Sequence, residues 1–441
     1  MWLKMRRFTT SLVRCCNGRG LSIYNHGVFN GKGRKFCRYL SSTASNHADT
    51  SSTPLFYEVS SVNLDERIEV FGEVPDPTVH VKSARPGDII RIPYELTISH
   101  SFRDFWHGSF YSHDRINTST PFSRELGLQD QTVPFAMMLF LATSMSHAYD
   151  AAKVATGFKN AKYHWPAFAG DTFTKQFKVK SVRTTSDGQQ TEFGLECTLF
   201  NQRDKPIFSV EKSIIFPFVV PHSDVSIPQS SFGQDDSLLH HLVDQAEKIQ
   251  HLGSQTLLSL KPGQLLLHGM QRPLALGQCM QLSTIARINH DRHFNTRKHK
   301  LPDELTIPAG LQLAMTLSMA SRDLHEVIHE ELTECMFPHF LLPGEVMGAI
   351  SFVVKVEEHI SGDIECVTLR TVGIKNIDII NDLKDKPLPV EMFTRQPLGA
   401  RWEKSLESIL SEKCPMLSKN IVCIADRKLY RPAPKTVPFL L

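Results

Sequence analysis

Two patterns of apolar and polar residues run along this chain. In the first, strand-length stretches that mix apolar and polar residues run over 173–182, 191–201 and 206–216. These stretches are joined by Ser186-Asp187-Gly188 and Gln202-Arg203-Asp204, so they predict a long antiparallel meander. Strands are also predicted at 88–94, 347–359 and 363–374, with a shorter one near 389–393. The second pattern is apolar on every side and nearly free of charge. It begins at Thr132 (TVPFAMMLFLATSMSHAYDAAKV) and again at Thr306 (TIPAGLQLAMTLSMASRDLHEVI). Each opens with Thr, a β-branched residue and Pro, which reads as an N-cap followed by proline in the first turn. A helix apolar all round must be buried rather than lie on a surface.

The two helical stretches are copies. Thr132 and Thr306 are separated by 174 residues (306 − 132), and so are Gly170 and Gly344 (344 − 170), each in a turn of the form Ala-Gly-Asp or Pro-Gly-Glu. Two landmarks at one offset imply an internal duplication. Strands follow the helix in both copies, so the predicted architecture is α+β, with an antiparallel sheet wrapped around a long buried helix. That is the hotdog fold, here present twice. The expected boundaries are a presequence at 1–50, an extension at 51–86, a first hotdog at 87–218, and a linker with a polar helix (236–249) at 219–260. A second hotdog follows at 261–395, and then a tail at 396–441 that the pattern leaves unassigned.

Composition changes the picture at one end only. Apolar content of 41% and charged content of 22% fit a globular protein. Residues 1–48 carry nine basic side chains (Lys4, Arg6, Arg7, Arg14, Arg19, Lys32, Arg34, Lys35, Arg38) and no acid; subtracting them from the whole-chain +3 leaves −6 for the rest. A body of that charge argues against nucleic-acid binding. The Arg- and Ser/Thr-rich, acid-free N-terminus reads as a mitochondrial presequence, and the matrix is the expected location. No later stretch reaches the length of a membrane span. Cys197, Cys279, Cys335, Cys366, Cys414 and Cys423 are scattered without metal-ligand spacing and read as reduced, mostly buried thiols. No metal or cofactor is called for.

YSHDRINTSTPFSRELGL, TVPFAMMLFLATSMSH and YHWPAFAGDTF in the first copy, with NHDRHFN, IPAGLQLA and PHFLLPGE in the second, resemble the double-hotdog MaoC-like dehydratases. Among these the chain looks most like the β-methylmalyl-CoA dehydratases (mesaconyl-CoA hydratases), over roughly residues 60–395. The resemblance implies a hydro-lyase that dehydrates 3-hydroxyacyl thioesters, or runs the reverse hydration, on coenzyme A or acyl carrier protein, and it allows a homodimer. Such chemistry needs an acid and a base around one water, and donors for the developing enolate oxygen. Carried over, the family's histidine falls on His293. Its Asp, five residues earlier, falls on Ile288 without a gap or on Asn289 with a one-residue deletion; Asp291 offers a rearranged carboxylate. The enolate donors become the N–H groups of Ala309 and Gly310, and Leu311 stands where the family often has His. Arg292, Arg297 and Lys298 are candidates for the carrier's phosphates.

The first copy offers no dyad. Arg115 falls where His293 sits, and His107, His113 and Asp114 do not reproduce the spacing, so this half is expected to shape the acyl pocket. Each candidate also has a plain structural reading: a loop histidine, turn-forming Asn289 and Asp291, a solvated basic face. Two other functions stay open at this point. One is a degenerate hotdog serving as an interaction or assembly component of a mitochondrial complex. The other is an acyl-thioesterase, although 132–145 and 306–319 contain no Asp or Glu to supply its acid. Removing residues 1–48 should leave the protein in the cytosol; continued import of the shortened chain, followed by fractionation, would refute the presequence.

Overall fold

The computed structural model describes residues 83–434, except 93–94, 145–153, 222, 224, 231, 233–235, 255–256, 258, 289, 297–304, 360, 395–397 and 399. All of these lie in one compact unit, Glu73–Leu441. The expected presequence at 1–50 is outside them.

The first half contains β1 (Ile89–Arg91), β2 (Leu96–Thr97), α1 (His100–Ser109), α2 (Arg115–Thr118), α3 (Thr120–Glu125), α4 (Phe135–Thr143), β3 (Val154–Tyr163), β4 (Thr172–Thr184), β5 (Thr191–Phe200) and β6 (Pro206–Phe216). Next comes α5 (Asp236–Leu252). The second half has β7 (Leu265–Pro273), α6 (Leu276–Ile285), α7 (Ala309–Ser321), β8 (His329–Met336), β9 (Val346–Glu358) and β10 (Ile364–Lys375). It ends with α8 (Ile379–Leu383), α9 (Glu391–Thr394), α10 (Ala400–Lys413) and β11 (Ile421–Pro432).

All strands join one eleven-stranded sheet in the order β1-β4-β5-β6-β3-β8-β11-β10-β9-β7, with β2 beside β4. The two halves mirror each other about the β3–β8 pair. Its antiparallel register places Gly157 opposite Met336 and Lys162 opposite Glu331. Since 157 + 174 = 331 and 162 + 174 = 336, exchanging the halves maps this pairing onto itself. The 174-residue offset read from the sequence is therefore the operator of a pseudo-two-fold axis through the junction. Gly157 sits there because a Cβ would collide with the Cys335 carbonyl. The same offset carries β4 onto β9 end to end and the start of α4 onto the start of α7.

The helices behave as their composition requires. Every residue from Gly310 to Ala320 is buried, and so are Phe135 and Met137 to Ala142. The polar members of α7 are satisfied internally. Gln312 Nε2 donates to the His339 carbonyl (2.9 Å) and its Oε1 accepts from Leu341 N–H (3.2 Å). Thr316 donates to the Gln312 carbonyl (3.0 Å). The predicted capping needs correction: Pro134 and Pro308 are themselves the N-caps, so Thr132 and Thr306 lie two residues before them. Pro134 and Pro308 are extended, with ψ of 143° and 140°, so each helix starts only after the ring.

Two further readings change. The stretch near 389–393 is helical, contributing α9, rather than a strand. The last strand of the second half comes from the unassigned tail, as β11, so the sheet runs past the expected boundary at 395. β5 and β6 are joined by residues 201–205, whereas β10 and β11 are joined by 376–420. That insertion carries α8 to α10, whose Ile379, Met392, Phe393, Leu406 and Leu410 cover Ile350, Val372 and Ile424. β9 and β10 are thus covered on both faces and read as apolar runs, while β4, open on one face, alternates. Removing part of Leu313, which is fully buried in α7, as Leu313→Ala, should cost about 2–5 kcal/mol in urea unfolding with little change in slope.

Candidate functional site

The axis places the start of each central helix beside the end of the other, which creates two related loci. At the second-half locus, His290 opens a short turn over Asp291–His293 by accepting Arg292 N–H on Nδ1 (3.0 Å). The Asp291 carbonyl takes the N–H groups of Phe294 (3.0 Å) and Asn295 (2.8 Å). The turn is tied to the chain entering α7 by Thr306 N–H to the Arg292 carbonyl (3.2 Å). His293 Nδ1 lies 2.7 Å from the Thr306 carbonyl. A carbonyl only accepts, so Nδ1 carries the proton and Nε2 keeps the lone pair.

Ala309 and Gly310 are the first two residues of α7, and their N–H groups lack acceptors within the helix; Leu311 and Gln312 N–H already bond the Pro308 carbonyl at 2.9 Å. Gly310 also has a packing role. A Cβ there would lie 2.8 Å from Thr143 Oγ1 and 3.0 Å from Phe140 Cδ2, so only glycine lets α7 approach α4 this closely. The Arg292 guanidinium lies 4.7 Å over the Phe340 ring. Asn289, Arg297 and Lys298 fall outside the described residues.

The first-half locus corrects one alignment. Thr132 N–H bonds the Ile116 carbonyl (3.0 Å), as Thr306 does with Arg292. Asn117 Nδ2 reaches the Thr132 carbonyl (3.1 Å) and hydroxyl (2.8 Å). Asn117, not Arg115, is therefore the counterpart of His293, and an amide has no proton to exchange near neutrality. Arg115 instead ties the halves together, donating from Nε to Glu326 (2.9 Å) and from Nη2 to the Gly253 carbonyl (3.0 Å). His113 stacks on Tyr111 at 4.7 Å, and burial lowers its pKa. His107 sits in α1, where burial likewise holds it neutral.

A cavity of about 90 Å³ opens at this first-half locus, between the start of α4 and the end of α7. Its polar lining includes Asp114, Asn117, Ser318, His329, Glu330 and Arg427. Asp114 accepts Val327 N–H (3.0 Å). Burial pushes its carboxyl up to about 8; Glu330 and Glu326 add to the rise, and the Val327 bond and Arg427 oppose it. Sequence spacing could not single out Asp114, because Glu330 and Arg427 come from strands over 200 residues away.

Behind the cavity runs a buried polar chain. Arg427 donates from Nη1 to Glu330 (2.9 Å) and from Nε to Thr371 Oγ1 (3.1 Å). Thr371 and Ser351 hydroxyls lie 2.9 Å apart, Ser351 Oγ is 2.9 Å from His268 Nε2, and His268 Nδ1 is 2.7 Å from Asp323. Burial keeps His268 neutral against the pull of Asp323. Every donor then points the same way, from Arg427 to Asp323. Asp323, His268 and Ser351 stand in the order of a hydrolase triad, but Ser351 is fully buried and its oxygen is engaged by Thr371. This arrangement holds Arg427 in place and presents no nucleophile to a substrate.

Among the described residues no group of His, Cys, Asp and Glu is placed to hold a metal, and no helix is long and apolar enough to cross a membrane. Cys197, Cys279, Cys335, Cys414 and Cys423 are buried free thiols, and Cys366 is half-buried.

No protein-family model and no curated protein matches the chain. Solved structures do. A candidate MaoC domain protein dehydratase from Chloroflexus aurantiacus J-10-fl matches with a TM-score of 0.60 at 16% identity, over 80% of this chain and 97% of its own. A conserved hypothetical protein of Mycobacterium tuberculosis, described as a double hotdog, gives 0.56 at 13% identity over 79% and 96%. A MaoC-like dehydratase gives 0.52 at 10% identity over 79% and 99%. At these identities the likeness is one of fold, and the chain is a double hotdog.

The Asp114 carboxyl titrates near 3.8 when unfolded and near 8 when folded. Its raised value means that stability is fully present below about pH 4 and is lost as pH rises to 8. Asp114→Asn removes this titration, so its Tm relative to wild type should climb across that window and level off above it. A Tm difference independent of pH would contradict the assignment.

Proposed function

We propose that the chain is a hydro-lyase acting on 3-hydroxyacyl thioesters, with its reaction centre at the start of α7. The observation that carries this reading is the bond from His293 Nδ1 to the Thr306 carbonyl, which presents Nε2 as a base beside the N-terminal end of a buried helix. In dehydration, Nε2 takes the proton from C2 of the acyl group. The thioester oxygen, gaining charge as an enolate, is received by the Ala309 and Gly310 N–H groups and the positive end of the helix dipole. The C3 hydroxyl leaves as water with a proton given by the 289–293 loop, where the Asp291 carboxylic acid is the donor and ends as the carboxylate. Hydration is the same path reversed. The MaoC-like dehydratases among the matching structures support this reaction class.

The carrier is coenzyme A or acyl carrier protein. Its phosphates fall to Arg292, whose contact with Phe340 uses only the face of the guanidinium, and to Arg297 and Lys298. The basic, acid-free N-terminus supports work in the mitochondrial matrix. A second reading, a non-catalytic assembly component, is favoured by one residue: Ile288 stands five positions before His293, where the dyad would have a carboxylate. A thioesterase has less support, since the single Asp-His-Ser arrangement described above is sealed in the core.

Hydration of crotonyl, mesaconyl and longer enoyl thioesters by the full chain decides between the first two. His293→Ala should lower kcat by about two to four orders of magnitude with an unchanged circular dichroism spectrum, while His113→Ala should change it little. No hydration by wild type would favour the assembly reading, and full activity in His293→Ala would remove the reaction from this loop.

A further inference from the structure

Lys212 on β6 is 8% exposed, and its Nζ donates to the Thr143 carbonyl at the end of α4 (3.2 Å). Lys175 on β4, 2% exposed, donates to the next carbonyl, that of Ser144. The Phe177 ring lies 4.5 Å from Lys175 Nζ and 5.0 Å from Lys212 Nζ. Burial and the Lys212 charge hold the Lys175 amine well below the usual lysine range, so Lys212 is the charge of the pair. Among the described residues neither lysine has a carboxylate partner. A buried cation without one is costly, and its place in the fold shows what it faces.

Lys212 opposes Leu195 on β5 and Phe158 on β3, while Arg427 opposes Leu369 on β10 and Leu332 on β8. Both sets of partners differ by 174 (369 − 195 and 332 − 158), so Lys212 is the counterpart of Arg427. Arg427 and Leu317 line the cavity at the start of α4. Lys212 and Thr143, the counterpart of Leu317 (317 − 174), therefore stand beside the start of α7, where a Cβ on Gly310 would lie 2.8 Å from Thr143 Oγ1. One difference separates the two cations. Arg427 is paired with Glu330 (2.9 Å), whereas the residue 174 positions before Glu330 is the uncharged Thr156. The end of α4 carries about half a negative elementary charge, which opposes an enolate forming at the Ala309 and Gly310 N–H groups. One ammonium on its last carbonyls outweighs that pole. At the first-half locus Glu330 offsets Arg427, and a carboxyl there resists ionisation, as burial and Glu330 push Asp114 up to about 8.

We infer that Lys212 is a positioning residue for the reaction at His293: its charge, matched by no carboxylate, cancels the negative pole of α4 and favours the enolate at the start of α7. The inference rests on the reading of that locus as the place where an enolate forms, and two readouts keep the two apart. Acetoacetyl-coenzyme A forms an enolate without hydration and reports it by near-ultraviolet absorbance; crotonyl-coenzyme A reports turnover. In the full chain, Lys212→Met should lower kcat about tenfold at unchanged KM, and bound acetoacetyl-coenzyme A should show about tenfold less enolate relative to keto form, the loss of one charge acting through a partly dry interior. Lys212→Gln keeps a donor for the Thr143 carbonyl without the charge and should lose as much; it carries the test if Lys212→Met does not fold. Lys212→Arg restores the charge and should lie within about threefold of wild type. Enolate that depends on this charge in a protein that hydrates no enoyl thioester would uphold the inference and remove the hydro-lyase reading. The inference is overturned if wild type yields no enolate, if Lys212→Met or Lys212→Gln yields as much as wild type, or if Lys212→Arg is as impaired as they are.

Discussion

The β3–β8 pairing is the constraint on which the rest of this structure depends. It joins two runs of five strands, with β2 beside β4, into one sheet, and its register is its own image under the 174-residue shift. Once those strands pair this way, α4 and α7 must lie side by side beneath the junction with the start of each against the end of the other. Gly310 against Phe140 and Thr143 is one such contact; Phe135 and Ala136 sharing a cavity wall with Leu317 and Ser318 is the other. Neither half could build either locus alone, because each combines one half's helix start and loop with the other half's helix end. A helix with no polar face also has no stable place outside such a sheet. The duplication and the burial are therefore one fact seen twice.

From that shared frame the two loci diverge at few positions. Thr132 and Thr306 present the same carbonyl to the preceding loop, and the residue that meets it is Asn117 in one half and His293 in the other. The amide makes an additional bond to the Thr132 hydroxyl and serves as a clamp; the imidazole's Nδ1 contact with the Thr306 carbonyl sets its tautomer. The carboxyl with a raised pKa is in the half with the amide, and the titratable ring is in the half without that carboxyl. Duplication thus leaves two differently equipped sites on one scaffold.

Much of this was legible in the sequence, and the reasons are specific. The helices at 135 and 309 were recognisable because no surface position tolerates residues such as Met137 to Ala142. β4, β5 and β6 were recognisable because short polar turns at 186–188 and 202–204 separate strand-length runs, and β4 also alternates. β3 and β8 were missed: they sit at the junction, between two halves, where neither an open face nor a nearby turn marks them. β11 was missed because 376–420 separates it from its partner, whereas the equivalent link in the first half is 201–205. The site was legible only where chemistry is local. His293 and the start of α7 lie within one loop and one turn. Asp114 owes its character to Glu330, Glu326 and Arg427, which only the sheet brings to it.

The buried polar chain shows why such a site can persist in a core. Arg427, Thr371, Ser351 and His268 are almost wholly excluded from water, and an unsatisfied group among them would be costly. Their cost is limited because, Arg427 Nη2 apart, each passes a hydrogen bond to the next acceptor, ending on Asp323, which keeps 32% of its side chain in solvent. The chain crosses β11, β10, β9 and β7 in order, so it forms only when all four strands have paired in register. A one-residue slip in any of them would turn a member to the other face. The same bonds that specify the register of the second half also fix the guanidinium at the wall of the first-half cavity. Folding of one repeat thereby prepares the chemistry of the other.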